Sequence, residues 1–299
     1  MNAPPSVRDA GRVTDLVAPP ETMSVRAAAT AAATAAGVEI RVVDDLDALA
    51  DIERLWSSTW YPGTDKSPAT RDLMRAMTHA GAYLGAAYDD ERLLAASFGF
   101  FGLPAHQHLH SHLAAVVADA RGRNIGMALK LHQRSWALDQ GVAAVTWTVD
   151  PLVRRNAHFN IAKLGATPVE YLADFYGEMS GINAGQGSDR LLMSWPVAEL
   201  VDAAPGALDA GAVDGEPLLT EDVTGRPRAA ARQDVARPAL VQVPPDIERL
   251  RVTHPALSRS WRTAVRETLG DLMADGGRIA GFTRDGSYVV ETTSNEAGL

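Results

Sequence analysis

The succession of apolar patterns between Val38 and Trp195 constrains this chain more than any other feature of its sequence. Val38-Glu39-Ile40-Arg41-Val42-Val43 alternates as a strand does. Asp44-Asp45-Leu46-Asp47 opens a helix to Trp56, with carboxylates beside its positive end. Ser67-Pro68 sets a cap residue before a first-turn proline, which predicts a second helix to about His79. Residues 82–88 and 93–101 read as a hairpin, and residues 108–117 as the next strand. A helix over 125–140, ended by Gly141, leads to a strand over 143–149 rich in Val, Thr and Trp. A short helix over 156–164, stopped by Gly165, precedes two strands over about 169–176 and 190–195. This β-α-α-β-β-β-α-β-α-β-β order predicts an α/β fold, a mixed central sheet flanked by helices.

The flanks read differently. Residues 1–37 hold Pro4, Pro5, Pro19 and Pro20, then an alanine-rich stretch from Arg26 to Gly37. Alanine favours helix, but the stretch has almost no large apolar residue to dock one, so a flexible tail is expected. From 198 to 237 the sequence thins to Ala, Gly, Asp and Pro and reads as a linker. Pro255 then starts a helix whose Leu257, Trp261, Ala264, Val265, Thr268, Leu269 and Leu272 keep helical spacing. Two strands around Arg284-Asp285-Gly286 complete a small α+β element over 238–299. Alone it buries little, so it is expected to pack on residues 38–197.

Charge and composition narrow the chemistry. The 299 residues hold 28 Lys and Arg against 37 Asp and Glu, a formal net charge of -9. That excludes a non-specific nucleic-acid binder, which needs a basic face, but a local basic nest can still bind an anion. With no cysteine, disulfides, Cys-ligated zinc, iron–sulfur clusters and cysteine nucleophiles are all excluded. No apolar run reaches the ~18 residues of a membrane helix, and no secretory leader is legible, so a cytoplasmic protein without membrane partners is expected.

The stretch that carries chemistry is Ala115-Val116-Val117-Ala118-Asp119-Ala120-Arg121-Gly122-Arg123-Asn124-Ile125-Gly126-Met127-Ala128-Leu129. A strand ends, a loop with two arginines follows, and a helix begins. The first N–H groups of a helix lack partners and its dipole favours an anion there. Gly122 and Gly126 let backbone approach a pyrophosphate, and Arg121 and Arg123 add charge. Neither a Walker loop nor a dinucleotide fingerprint is present. An ordinary strand–helix connection with surface arginines is the plain alternative.

Within its surroundings the stretch resembles the acyl-CoA-binding motif of the GNAT superfamily, the Gcn-type N-acetyltransferases. Arg121-Gly122-Arg123-Asn124-Ile125-Gly126 matches that motif with Asn124 at the first glycine; a register shifted to Arg123–Ala128 also fits. Arg155-Asn156-Ala157-His158-Phe159-Asn160-Ile161-Ala162-Lys163-Leu164-Gly165-Ala166 is similar to the family's Asn-x-x-Ala…Tyr-x-Lys-Leu-Gly-Phe helix, with Ile161 at the tyrosine that often protonates the departing thiolate. The resemblance spans residues 38–197. It implies an N-acyltransferase that moves an acetyl or succinyl group from acetyl-CoA or succinyl-CoA, as co-substrate and without a metal, to a small-molecule amine. Donor contacts fall to Val116, Val117, Arg121, Gly122, Arg123, Asn124, Ile125, Gly126, Met127 and Asn156, with the amide of Val116 or Val117 polarising the thioester carbonyl. The family's base, a carboxylate on this strand, is matched by His110. Leu109-His110-Ser111-His112, Asn156-Ala157-His158, Asp174-Phe175-Tyr176-Gly177 and Asp189-Arg190-Leu191 together resemble a branch associated with N-succinylamino acid racemases, which points to an amino-acid acceptor.

Other residues admit more than one reading. His106, His108, His110 and His112 alternate and would share one face of a strand; a metal site, a hydrogen-bonded structural role, or use of His110 or His112 in catalysis all fit. Asp174 and Tyr176 would share a face and line the acceptor pocket, or form a surface pair. Arg190 would hold a carboxylate of acceptor or donor, or be solvated. Trp56, Trp60 and Trp147 read as core. The competing functions are a non-catalytic acyl-CoA sensor and a protein lysine acetyltransferase. The C-terminal element would cap the acceptor side or form a homodimer contact.

Overall fold

The computed structural model describes residues 20–179, 185, 187–197, 208 and 213–292. Seven strands form the first sheet: β1 (Glu39–Val42), β2 (Tyr83–Asp89), β3 (Arg92–Phe101), β4 (His108–Val116), β5 (Ala144–Val149), β6 (Thr167–Leu172) and β7 (Arg190–Pro196). Their order is β1-β2-β3-β4-β5-β7-β6. Every neighbouring pair is antiparallel except β4 and β5. The expected mixed sheet flanked by helices is the fold observed.

Alternation along the strands sorts the helices onto two faces. Leu84, Ala86, Tyr88, Ala96 and Phe98 pack against α2 (Leu46–Trp60) and α3 (Arg71–His79), where Leu49, Ile52, Trp56 and Met74 are buried. Ala87, Leu94 and Ala95 face the other way, towards α1 (Pro20–Ala36) and α4 (Ile125–Asp139). Asp45 caps α2 by accepting from the Ala48 N–H at 2.9 Å. Thr70, not the expected Ser67, caps α3, and Ser67 instead donates to the Ala69 carbonyl.

The alanine-rich stretch is not a tail. It is helix α1, with Val25, Ala29 and Ala36 buried. Arg26 pairs with Asp139 at the end of α4, while Arg123, just ahead of α4, reaches the carbonyls of Ala36 and Gly37. The two helices therefore run antiparallel. Small side chains permit a close approach between helices, which substitutes for large apolar anchors.

The region expected as linker also carries structure. β8 (Glu216–Glu221) and β9 (Pro227–Ala229) join β10 (Ala239–Gln242), β11 (Arg278–Phe282) and β12 (Ser287–Glu291) in a second sheet of order β11-β12-β10-β8-β9. Helices α5 (Arg154–Ala157), α6 (Ile247–Thr253), α7 (Pro255–Val265) and α8 (Asp271–Ala274) complete the set. One apolar core runs through both sheets: Trp147, Leu191, Met193 and Trp195 share it with Leu219, Val241, Trp261 and Tyr288. Asp150, directly after β5, takes Arg251 and Arg262 from α6 and α7 at 2.5 and 2.7 Å.

The feature that positions the site is where β4 and β5 part. They pair only from His108 to His110 against Ala144 to Thr146, and beyond that the strands diverge.

Candidate active site

The edge of β4 that faces the divergence is readable from one hydrogen bond. The Val117 N–H donates to the Leu94 carbonyl on β3 at 2.8 Å. Successive amides of a strand alternate between its two edges, so the Val116 N–H faces the gap left by β5. Of the two amides expected to polarise a carbonyl, Val116 is thus the one available, and Val117 is committed to the sheet.

Beyond β4 the chain turns through Ala118–Ala120 and enters α4 by way of two residues with left-handed backbone, Gly122 (φ +87°) and Asn124 (φ +61°). Asn is among the few residues with a side chain that tolerate this conformation, which explains its place where the motif carries glycine. The Met127 and Ala128 N–H groups both donate to the Asn124 carbonyl. Those of Ile125 and Gly126, in the first turn of α4, point outward without an intrahelical acceptor. A Cβ built on Gly126 would meet only Val116 Cγ2, at 3.9 Å, so the space before this turn is open.

That space is a cleft of about 1380 Å³. One wall is Ala114, Val116, Arg121, Gly122 and Asn124 to Met127; another is Val153 to Asn156, His158 and Lys163. A third comes from the second sheet and its helices: Pro245 to Arg249 and Phe282 to Arg284. Six basic side chains line it (Arg121, Arg154, Arg155, Lys163, Arg249, Arg284) against Asp246 and Glu248. In a chain of net charge -9, this cleft is a local concentration of positive charge.

A second cleft, of about 470 Å³, adjoins the first and shares Trp60, Ala114, Val153, Arg155, Asn156 and Glu248 with it. Ser111, His112, Trp147, Thr148, Asp150, Tyr176, Arg190 and Arg251 also line it. The Tyr176 hydroxyl lies 3.1 Å from Thr148 Oγ1, and the Arg190 guanidinium stands 5.1 Å from the Tyr176 ring centre. Arg190 is buried; it donates to the Asp189 carbonyl at 2.8 Å and lies 3.9 Å from Asp150. Burial alone would raise the Asp150 carboxyl, but Arg262 and Arg251 hold it below the usual carboxylate range.

The histidines do not behave as one row. His106 ends a short 3-10 turn, Pro104–His106, and Gln107 is left-handed, so the strand begins only at His108. Between β3 and β4 the register jumps from the Phe98–Leu113 pair to the Gly99–Ser111 pair, which leaves His112 unopposed in a bulge. His112 is exposed and lines the second cleft. His110 lines neither cleft; it packs 5.3 Å from the Phe100 ring centre and lies 3.4 Å from Thr146 Oγ1. Burial, then His112, His108 and Lys130, push His110 down to about 4, so it is neutral at neutral pH. Partial desolvation by the cleft wall also lowers His112. Among the described residues no group of three or more His, Asp and Glu converges to hold a metal ion.

Two further expected contacts are placed elsewhere. Arg123 pairs with Asp89 at 2.9 Å and holds the end of α1, outside the cleft lining. Asp174 does not alternate with Tyr176 on a strand, because β6 ends at Leu172 and Asp174 is a left-handed turn residue (φ +46°). It pairs with Arg266 at 2.9 Å, away from both clefts. Ile161, at the tyrosine position of the resemblance, is buried in the apolar core. Trp56 and Trp147 are core as expected, Trp147 also lining the second cleft, whereas Trp60 lines both clefts. Sequence reading overlooked Arg154, Arg155, Arg249, Arg251 and Arg284. Arg154-Arg155, straight after a strand and just before Asn156, was a legible signal. The other three belong to a segment without a motif.

The open helix start of α4 thus lies beside the point where the parallel strands β4 and β5 diverge. Residues 23–151 match the model of the family described as Acetyltransferase (GNAT) domain. The match begins inside α1 and ends at Pro151. Solved structures to which the chain is similar include the ribosomal-protein-S18-alanine N-acetyltransferase of Escherichia coli, at 15% identity, TM-score 0.44, covering 55% of this chain and 96% of that one. An N-acetyltransferase from Staphylococcus aureus Mu50 is 16% identical, TM-score 0.45, over 54% of this chain and 98% of the other. The ribosomal-protein-S5-alanine acetyltransferase of Vibrio fischeri is 13% identical, TM-score 0.42, over 54% and 93%. No curated protein matches the chain.

Proposed function

We propose that the protein is an N-acyltransferase that moves an acetyl group from acetyl-CoA directly to the amine of a small molecule bearing a carboxylate. The observation that carries this reading is the junction of the two clefts at Ala114, directly beside Val116. A basic cleft suited to a phosphate-rich donor opens there onto a pocket that holds His112, Tyr176 and Arg190.

The roles follow from position. Arg121 and the N–H groups of Ile125 and Gly126 would hold the pyrophosphate. The Val116 N–H would take the thioester oxygen as it gains negative charge. His112, whose imidazole is held below its ordinary range by the desolvating cleft wall, would accept the proton of the attacking amine. Nitrogen bonds to the carbonyl carbon, the carbon–sulfur bond breaks, and the sulfur leaves as thiolate. Tyr61 and Tyr176, the two phenols lining the second cleft, are the groups placed to return a proton to it. Without cysteine no acyl-cysteine intermediate forms, which favours a complex that binds both substrates together.

The second cleft carries three arginines against two carboxylates, which favours an anionic group. An amino-acid acceptor would supply one, and so would the acyl chain of succinyl-CoA, the donor suggested by the racemase-associated branch. The excess of positive charge disfavours a cationic lysine peptide. A non-catalytic sensor is supported by Ile161 in place of a tyrosine. Calorimetry with CoA, acetyl-CoA and succinyl-CoA, followed by thiol release over a panel of amino acids, separates these readings. Donor binding without thiol release for any amine would leave the sensor. A carboxylate requirement in the acceptor with acetyl-CoA supports the proposal, and a requirement for succinyl-CoA moves the anionic group to the donor.

A further inference from the structure

We propose that the acceptor is a neutral amino acid with a bulky apolar side chain, its carboxylate on Arg190 and its side chain against Trp60, Pro68 and Leu113. This rests on the acyltransfer reading above and names the substrate class of its second cleft.

The lining of that cleft is of two kinds. The last residue of α2 and the loop after it bring Trp60 and Pro68, and β4 adds Leu113. Trp60 and Leu113 are half-buried and pack against the apolar core beneath α2, so this surface is in place before any ligand arrives. The other kind is Arg190, the first residue of β7, with the Tyr176 ring over its guanidinium.

Arg190 is buried with modest partners for a guanidinium. It donates to the Asp189 carbonyl at 2.8 Å and to the Met179 sulfur at 3.0 Å, while Asp150, 3.9 Å away, is held by Arg251 and Arg262. A thioether is a weak acceptor. A carboxylate entering the cleft would replace it with a charge-assisted bond, the stronger kind.

The same lining disfavours charged side chains on the acceptor. Among the described residues the carboxylates of this cleft are Asp150 and Glu248, and Glu248 is engaged by Arg155 through two hydrogen bonds. A lysine or arginine acceptor would bring a further cation to a cleft whose anions are already matched. An acidic acceptor would set a second carboxylate against Trp60 and Leu113, where it loses water without gaining a partner. A leucine or phenylalanine side chain instead covers apolar surface there.

The test measures kcat/KM by thiol release from acetyl-CoA on the full chain, with leucine, phenylalanine, alanine, lysine, glutamate and leucinamide as acceptors. Leucine and phenylalanine should exceed alanine by about tenfold or more, as added methylenes in an apolar pocket imply. Lysine and glutamate should fall below alanine. Leucinamide, which keeps the side chain and loses the carboxylate, should fall about tenfold or more below leucine. Trp60→Ala should erase the preference for leucine over alanine, and Arg190→Gln the preference for leucine over leucinamide. These readouts are ratios, so a loss of donor affinity or of folded protein cancels, and the wild-type panel decides alone if a variant does not fold. A preference for lysine, glutamate or alanine over leucine overturns the inference, as does equal use of leucinamide or a ratio that its variant leaves unchanged. No thiol release with any amine would instead sink the acyltransfer reading, and this inference with it.

Discussion

The ammonium of Lys130 sits 3.8 Å from the centre of the Trp147 ring and donates to Ser111 Oγ at 2.9 Å. Lys130 is buried on α4, beneath the strand that carries His112, and burial pushes its pKa down to about 7. Between that value and the 10.5 of an unfolded chain, the unfolded state binds more protons, so this group makes stability rise with pH over that window. Lys130→Met should remove that rise. The variant's gain relative to wild type should be largest near pH 6.5 and shrink towards pH 10, by roughly 3 kcal/mol. Urea unfolding at the two pH values reads it, and a pH-independent difference would refute the burial argument.

Catalysis should distinguish His112 from His110. His112→Ala should lower kcat by about 10²–10⁴-fold and abolish the acidic limb of the pH–rate profile. That limb should fall below pH 6.5, because the His112 pKa is lowered. His110→Ala should keep it. An acidic limb that survives in His112→Ala would remove this residue from the mechanism.

Two substitutions at Gly126 separate ligand approach from folding. The open space there admits a methyl group, so Gly126→Ala should keep its thermal midpoint while losing about tenfold in CoA affinity by obstructing close approach. Gly126→Asp should show no detectable CoA binding, because a carboxylate would stand where phosphate belongs. Calorimetry on both, with melting curves as control, is sufficient. Unchanged affinity in the Asp variant would place the pyrophosphate elsewhere.

Asp150 offers a stability test remote from the donor. Asp150→Asn removes the carboxylate that Arg251 and Arg262 share, and breaking a buried pair of this kind costs about 3–5 kcal/mol. The denaturation midpoint should drop accordingly. A loss under about 1 kcal/mol would show the cluster to be solvated.

Much of the first sheet was legible because its signals are local. The hairpin over residues 83–101 has apolar strands and a charged turn, and α4 begins at Ile125 where a left-handed Asn ends the loop. The errors arose where tertiary partners decide. Helix α1 has too little apolar mass to announce that it docks, yet α4 accepts it through small side chains. The four alternating histidines suggested one face, but a turn at Gln107 and a bulge at His112 part them, and neither has a compositional mark. Arg123 read as a phosphate contact from spacing alone, since nothing nearby in sequence foretells Asp89 or the end of α1. The second sheet was missed in part because β8 and β9 lie in a segment poor in apolar residues.

The position of Asp150 in the chain has a consequence for how the protein is made. During synthesis β5 emerges with its carboxylate about a hundred residues ahead of Arg251 and Arg262, the cations that neutralise it. Until those helices leave the ribosome, closing the core around Trp147 would trap an unpaired charge, which disfavours it. The half of the first sheet that lines the second cleft therefore sets only after those helices emerge, and a nascent chain halted near residue 200 should remain protease-sensitive from β5 onward while α1 to β4 are already protected.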